Sequence, residues 1–95
     1  MKSVTDAKLD KYFDVTGKAL AKVKITPKKD INWKAAAEDF LDMAQRYYDD
    51  AKFFRKKGDY VTAFASLNYA HGWLDAGTRL GLFDVGHDSK LFTVD

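Results

Sequence analysis

The chain has 95 residues, no cysteine and a formal net charge of +2 at neutral pH. This length predicts one domain over residues 1–95, large enough to fold around its own core without a metal or disulfide bonds. The absence of cysteine excludes thiolate catalysis and zinc–thiolate sites, and it fits a reducing, cytoplasmic location. No apolar run approaches the roughly 20 residues of a membrane span, so a soluble protein without membrane segments is expected.

The first predicted helix covers about residues 4–24. Apolar side chains recur there every three or four residues, which is typical of a helix with one buried face. Ser3 followed by Asp6 predicts a capping box at its start. Pro27 predicts a loop after it, because proline cannot continue a helix. The apolar stripe consists of Leu9, Phe13, Thr16, Leu20 and Val23.

The second and third helices, at about 32–57 and 59–80, are predicted to form an antiparallel hairpin. Asn32, or alternatively Asp30, is a favourable N-cap for the second helix. Asp59 is a favourable N-cap for the third, and Gly58 is a favourable left-handed helix end, so the turn between the helices is minimal. Large and small apolar residues alternate along the facing seams, which allows close helix packing. The seams are Trp33, Ala37, Phe40, Ala44, Tyr47, Ala51 and Phe54, and Ala63, Leu67, Ala70, Leu74 and Gly77.

These elements together predict an all-α protein, a three-helix antiparallel bundle with a short C-terminal tail at residues 82–95. A second apolar seam, Tyr69, Trp73, Ala76 and Leu80, predicts that the third helix lies between two partners. In the tail, Leu82, Phe83 and Val85 are expected to cover the bundle end. Leu91, Phe92 and Val94 are expected to pack across the helices or against a second copy of the chain.

Two strings in the second and third helices, FLDMAQRYYDDAKFF and KGDYVTAFASLNYAHGWLDAGTRLGLFDV, carry a family resemblance. With them the chain closely resembles a family of small archaeal proteins, domain of unknown function 357, over roughly Leu9 to Val85. The resemblance implies a three-helix bundle in an archaeal cytoplasm. It implies no biochemical activity and brings no catalytic, cofactor or metal residues.

A polar stripe on the third helix is the best candidate for a chemical site. It consists of Asn68, His71, Asp75 and Arg79, on one helix face. His71 beside Asp75 could act as an oriented base, with Arg79 holding an anion. The alternative is an ordinary helical ion pair between Asp75 and Arg79. Because the chain has no pattern that completes a triad, a metal site or a phosphate-binding loop, we expect a non-enzyme with no catalytic residue, metal or cofactor.

Fourteen aromatic residues are more than so small a bundle can easily bury. Exposed aromatics mark association surfaces. The candidate interaction surface comprises Tyr48, Phe53, Trp73 and Phe92. The pattern therefore indicates a non-catalytic protein-interaction or self-association module, whose partner is another protein or a second copy of this chain.

Nucleic-acid binding is the alternative function. Up to Lys29 the chain has eight basic and three acidic residues, whereas from Asp59 onward it has two basic and five acidic residues. Lysines near the first loop could contact backbone phosphates without sequence specificity. They are Lys18, Lys22, Lys24, Lys28 and Lys29. The small overall charge and the absence of a recognition-helix motif argue against this alternative.

Overall fold

The computed structural model describes residues 3–93 and contains three α-helices. They are α1 at Asp6–Lys22, α2 at Trp33–Lys56 and α3 at Tyr60–Leu80. No strand occurs between residues 3 and 93. The predicted all-α, three-helix fold is confirmed, and every helix end lies within two residues of its predicted position.

The N-caps of α1 and α2 are side-chain oxygens that accept from backbone N–H groups. Thr5 Oγ1 accepts from the backbone N–H of Lys8 at 3.2 Å, so the predicted capping box at Ser3 is wrong. Thr5 has extended backbone angles, which places its hydroxyl at the open end of the helix. Asn32 Oδ1 accepts from the backbone N–H of Ala35 at 2.9 Å, as predicted.

The turn between α2 and α3 is formed by Gly58 and Asp59. Gly58 has a φ of 78°, a conformation that glycine adopts without strain. The Asp59 carboxylate accepts from the Thr62 hydroxyl at 2.7 Å and from the Thr62 backbone N–H at 3.1 Å. These bonds favour the ionised carboxylate, so they lower the pKa of Asp59. The bond from the hydroxyl has the larger effect and the bond from the backbone N–H the smaller one. The short turn makes α2 and α3 antiparallel neighbours.

The buried centre of the contact between α2 and α3 consists of very small residues. The buried ones are Ala44, Ala51, Ala63, Ala70 and Gly77. No large side chain within residues 3–93 is fully buried. Small residues let two helix backbones approach closely, so the larger side chains must lie on the two sides of the contact.

Helix α1 leaves its apolar stripe open to solvent. Phe13 is 72% exposed and Leu20 is 74% exposed. Every residue of the extended segment 23–32 is also exposed. The stripe that the sequence predicts to be buried is therefore uncovered, because this extended segment leads α1 away from the hairpin formed by α2 and α3.

The N-terminal half of α1 lies beside the start of α3. Leu9 and Tyr12 line an open surface cavity of about 280 Å³ together with Val61, Thr62 and Ala65. The chain exposes 8129 Å² in total, whereas a folded monomer of 10.8 kDa exposes about 5,500 Å². The difference shows that the chain buries less of its surface than a compact monomer of this mass does.

The chain after α3 folds back over the end of the hairpin. Gly81 ends α3 with a φ of 86°. The ring of Phe83 lies against Gly77, where a Cβ atom would come within 2.8 Å of Phe83 Cδ2. Leu82, Phe83 and Val85 are half-buried, which confirms the predicted cover at this end. The prediction for Val94 lies outside the described residues.

Candidate interaction surface

The α2–α3 hairpin has two sides that carry large apolar side chains. One side, which we name the aromatic face, consists of Phe40, Tyr47, Tyr69 and Trp73. The other, which we name the groove face, consists of Leu41, Tyr48, Phe64, Leu67 and Leu74. The two sides arise because alanine occupies the middle of the contact, as at Ala44 and Ala70, and the next residues around each helix point to either side.

Three of the four rings of the aromatic face are half-buried, whereas Tyr69 is 52% exposed. Phe40 and Trp73 meet edge to face with ring centroids 5.0 Å apart. Tyr47 and Tyr69 meet in the same way at 4.3 Å, and the Tyr69 and Trp73 centroids are 6.4 Å apart. Edge-to-face pairs of this kind contribute about 0.5–1.5 kcal/mol beyond the burial of their area. These four rings therefore hold the hairpin together on one side.

The groove face is open by comparison. Its side chains line a surface cavity of about 570 Å³ whose floor is formed by Ala44 and Ala70. Phe64 is 67% exposed and Leu41 is 54% exposed. At the edge of the groove, the Lys52 ammonium lies 4.6 Å from the centre of the Tyr48 ring. The groove is thus a largely apolar surface between two antiparallel helices, and within residues 3–93 all the residues that line it belong to α2 or α3.

The four predicted interaction residues do not form one surface. Tyr48 belongs to the groove face, whereas Trp73 belongs to the aromatic face. Phe53 is 54% exposed and contacts its neighbour Phe54 with ring centroids 5.4 Å apart. Phe92 is half-buried. Leu41 and Phe64 were not predicted to be exposed, and Leu67, predicted as a core residue, is 43% exposed, because helical spacing alone cannot tell an exposed apolar residue from a buried one.

Two residues of the polar stripe on α3, His71 and Asp75, contact the tail. The carboxylate of Asp75 accepts from the backbone N–H of Thr93 at 2.9 Å and from its hydroxyl at 3.2 Å. His71 Nε2 lies 3.7 Å from Asp75 Oδ1, and the His71 ring centroid is 6.2 Å from that of Phe92. Asp75 and His71 therefore serve the contact between α3 and the tail.

The other two stripe residues lie apart from this contact. Asn68 borders the groove face. Arg79 lines an open cavity of about 530 Å³ with His87 and other tail residues. Among residues 3–93 no ion pair links Asp75 to Arg79, which differs from the ordinary helical pair considered from the sequence. The stripe is thus divided between a tail anchor and two separate surface positions.

Neither a metal-binding cluster nor a membrane-spanning helix occurs among the described residues. Within the described residues, no three histidine, aspartate or glutamate side chains lie close enough together to hold a metal ion. Likewise, no helix in residues 3–93 is long and apolar enough to cross a bilayer.

The basic residues of the N-terminal part lie on exposed backbone. Lys18 pairs with Asp14 at 2.9 Å on α1. Lys24, Lys28 and Lys29 lie on the extended segment 23–32, where every residue is exposed. This arrangement gives an accessible row of positive charge, separate from both faces of the hairpin.

The geometry defines a small all-α protein built on a tight helical hairpin with an outlying amphipathic helix. The family model described as protein of unknown function (DUF357) matches residues 11–83, most of α1 and all of α2 and α3. The chain belongs to this family, as the resemblance in its sequence indicated. No curated protein and no solved structure matches the chain significantly.

Proposed function

We propose that this protein is a non-catalytic association module that binds another protein molecule through its exposed apolar surface. The observation that carries the proposal is the groove face, an apolar surface on a hairpin whose own buried contact consists of alanine and glycine. Large, contiguous apolar surfaces on small proteins serve as interaction sites. A cytoplasmic location belongs to the same proposal and is supported by the cysteine-free composition.

The energetics of the fold support association. The free energy of burying apolar surface is about 25 cal/mol per Å². Two helices in contact can bury only one stripe of each, so the groove side chains contribute little to stability while they face water. A partner that covers Leu41, Phe64 and Leu67 would recover that contribution as binding free energy.

The proposal is tested by affinity capture from native lysate at low and high salt, with the bound material assayed for protein and RNA. We expect a defined protein partner, or the chain itself, to remain bound at high salt. Leu41→Gln should reduce capture at least tenfold. Leu80→Gln is the matched control, because Leu80 is also 54% exposed but lies seven residues after Trp73, on the side of α3 that carries the aromatic face. Equal capture by both variants, or turnover of a metabolite by the pure protein, would contradict the proposal.

A second candidate function is nucleic-acid association through the exposed lysines of segment 23–32 and the end of α1. Its support is the accessibility of Lys24, Lys28 and Lys29 on extended backbone. Contacts between lysine and phosphate weaken steeply as salt rises. In the same capture experiment, this function predicts RNA that is released at high salt and is lost when the three lysines are replaced by glutamine. Binding through the groove face predicts neither effect.

A further inference from the structure

The chain's own α1 does not cover the groove face, because it lies on another side of the hairpin. Helix α1 approaches α3 at Ala65, whereas the groove contains Leu67. Two residues along a helix correspond to a rotation of about 200°, so Ala65 and Leu67 point to opposite sides of α3. The tail contacts α3 at Asp75 and at His71, which also lines the groove, but none of the tail residues up to Thr93 lines the groove itself. The middle of the groove is therefore open.

We infer that the groove face packs against the groove face of a second copy, forming a four-helix bundle about a two-fold axis near Gln45. This inference rests on the proposed function and names its partner. An antiparallel helical hairpin with one open apolar side is half of a four-helix bundle. A two-fold axis requires each groove to be complementary to itself.

The chain as a whole exposes more surface than a compact monomer, and a dimer would bury part of it. The chain exposes 8129 Å², which exceeds the value for a compact monomer of its mass by about 2,600 Å². A standard interface takes about 800 Å² from each partner. One hairpin-to-hairpin contact would use about a third of the excess and leave the remainder with α1 and the extended segment.

One pair of charges along α2 is complementary in this arrangement. When two copies of α2 cross antiparallel at Gln45, residues equally far before and after it lie opposite each other. Glu38, seven residues before Gln45, then faces the partner's Lys52, seven residues after it. Within one chain these two side chains are about 21 Å apart along the helix and cannot pair. By the same count Lys34, which lies 3.9 Å from Glu38 in its own chain, faces the partner's Lys56 with like charge. Leu41, four residues before Gln45, comes within one residue of the partner's Tyr48, three residues after it, which places these apolar side chains between the two Glu38–Lys52 pairs.

The inference is tested with charge-swap variants measured by sedimentation equilibrium. We expect the wild-type chain to be a dimer at micromolar concentration. Glu38→Lys and Lys52→Glu alone should each weaken the dimer roughly tenfold, since each places like charges opposite at two symmetric positions. The double variant should recover wild-type affinity. Because the two residues cannot meet within one chain, recovery supports the inferred dimer, and absence of recovery overturns it.

A cross-linking experiment tests the position of the axis independently of affinity. The chain has no cysteine, so a single introduced thiol reports one site. Gln45→Cys should form a disulfide-linked homodimer under mild oxidation. Asp50→Cys, also exposed but about 140° around α2, should remain monomeric on denaturing gels. Equal cross-linking of both variants overturns the inference.

The outcomes also separate this inference from the proposed function. A wild-type chain that stays monomeric at high micromolar concentration overturns the dimer. If a Leu41-dependent protein partner is nevertheless captured, the association function stands without the dimer. If a monomeric chain captures no protein, both fail.

Discussion

Gly77 provides a sharp test of how the tail packs, because an added methyl group there acts in two opposite ways. Alanine is favoured over glycine inside a helix by about 1 kcal/mol. At Gly77, however, the new Cβ would come within 2.8 Å of Phe83 Cδ2, so the ring must leave its half-buried position. Overpacking of this kind costs about 1–3 kcal/mol. The expected net effect of Gly77→Ala is a loss of about 1 kcal/mol, and a Tm about 4–8 °C lower for a domain of this size.

The matched control is Gly72→Ala in the same helix. No heavy atom lies within 4 Å of a Cβ built at Gly72, so only the helix preference acts, and we expect stabilisation by about 1 kcal/mol. Both variants are measured by urea denaturation followed by circular dichroism. In a Phe83→Ala background, Gly77→Ala should change from destabilising to stabilising. Equal stabilisation by the two glycine substitutions in the wild-type background would refute the packing of Phe83 on α3.

Three other predictions concern the aromatic face, the turn and the tail. Trp73→Ala should destabilise the fold by about 2–3 kcal/mol, which is below the range for a fully buried tryptophan because Trp73 is half-buried. In a double-mutant cycle with Phe40→Ala, free-energy changes that simply add would contradict the edge-to-face contact between the two rings. Since the pKa of Asp59 is lowered in the folded state, its contribution is present above the unfolded pKa of about 3.9 and is lost as the pH falls through the lower folded value. The midpoint of urea denaturation should therefore fall in this acidic window, and less so in Asp59→Asn; equal pH dependence in the two proteins would contradict the assignment. Asp75→Ala should speed hydrogen exchange at the Thr93 amide while helical content is unchanged, and unchanged protection would show that the hydrogen bond does not hold the tail.

The hairpin could be predicted from the sequence because its signals are local. Gly58 and Asp59 specify a helix end and a helix start in adjacent positions, and this forces an antiparallel return. The small residues of the seam, such as Ala44 and Ala70, recur at helical spacing and are buried as predicted. In each case the physical cause lies within a few residues of the feature it produces.

The position of α1 and the open groove could not be predicted in the same way. An amphipathic stripe shows that one face of a helix is apolar, but it does not identify which surface covers that face. The stripe of α1 and the groove residue Leu67 therefore look like core positions in the sequence. Likewise, the bond between Asp75 and Thr93 joins residues eighteen positions apart, and no local pattern indicates it.

The alanine contact between α2 and α3 has a consequence for how such a protein can evolve. Enlarging Ala44 or Ala70 would push the helix axes apart, so the smallest side chains are the least replaceable. Changes at the most exposed large residues, such as Phe64, would disturb this contact less, because their side chains lie outside it. The hairpin can thus keep its shape while this part of its outer surface varies.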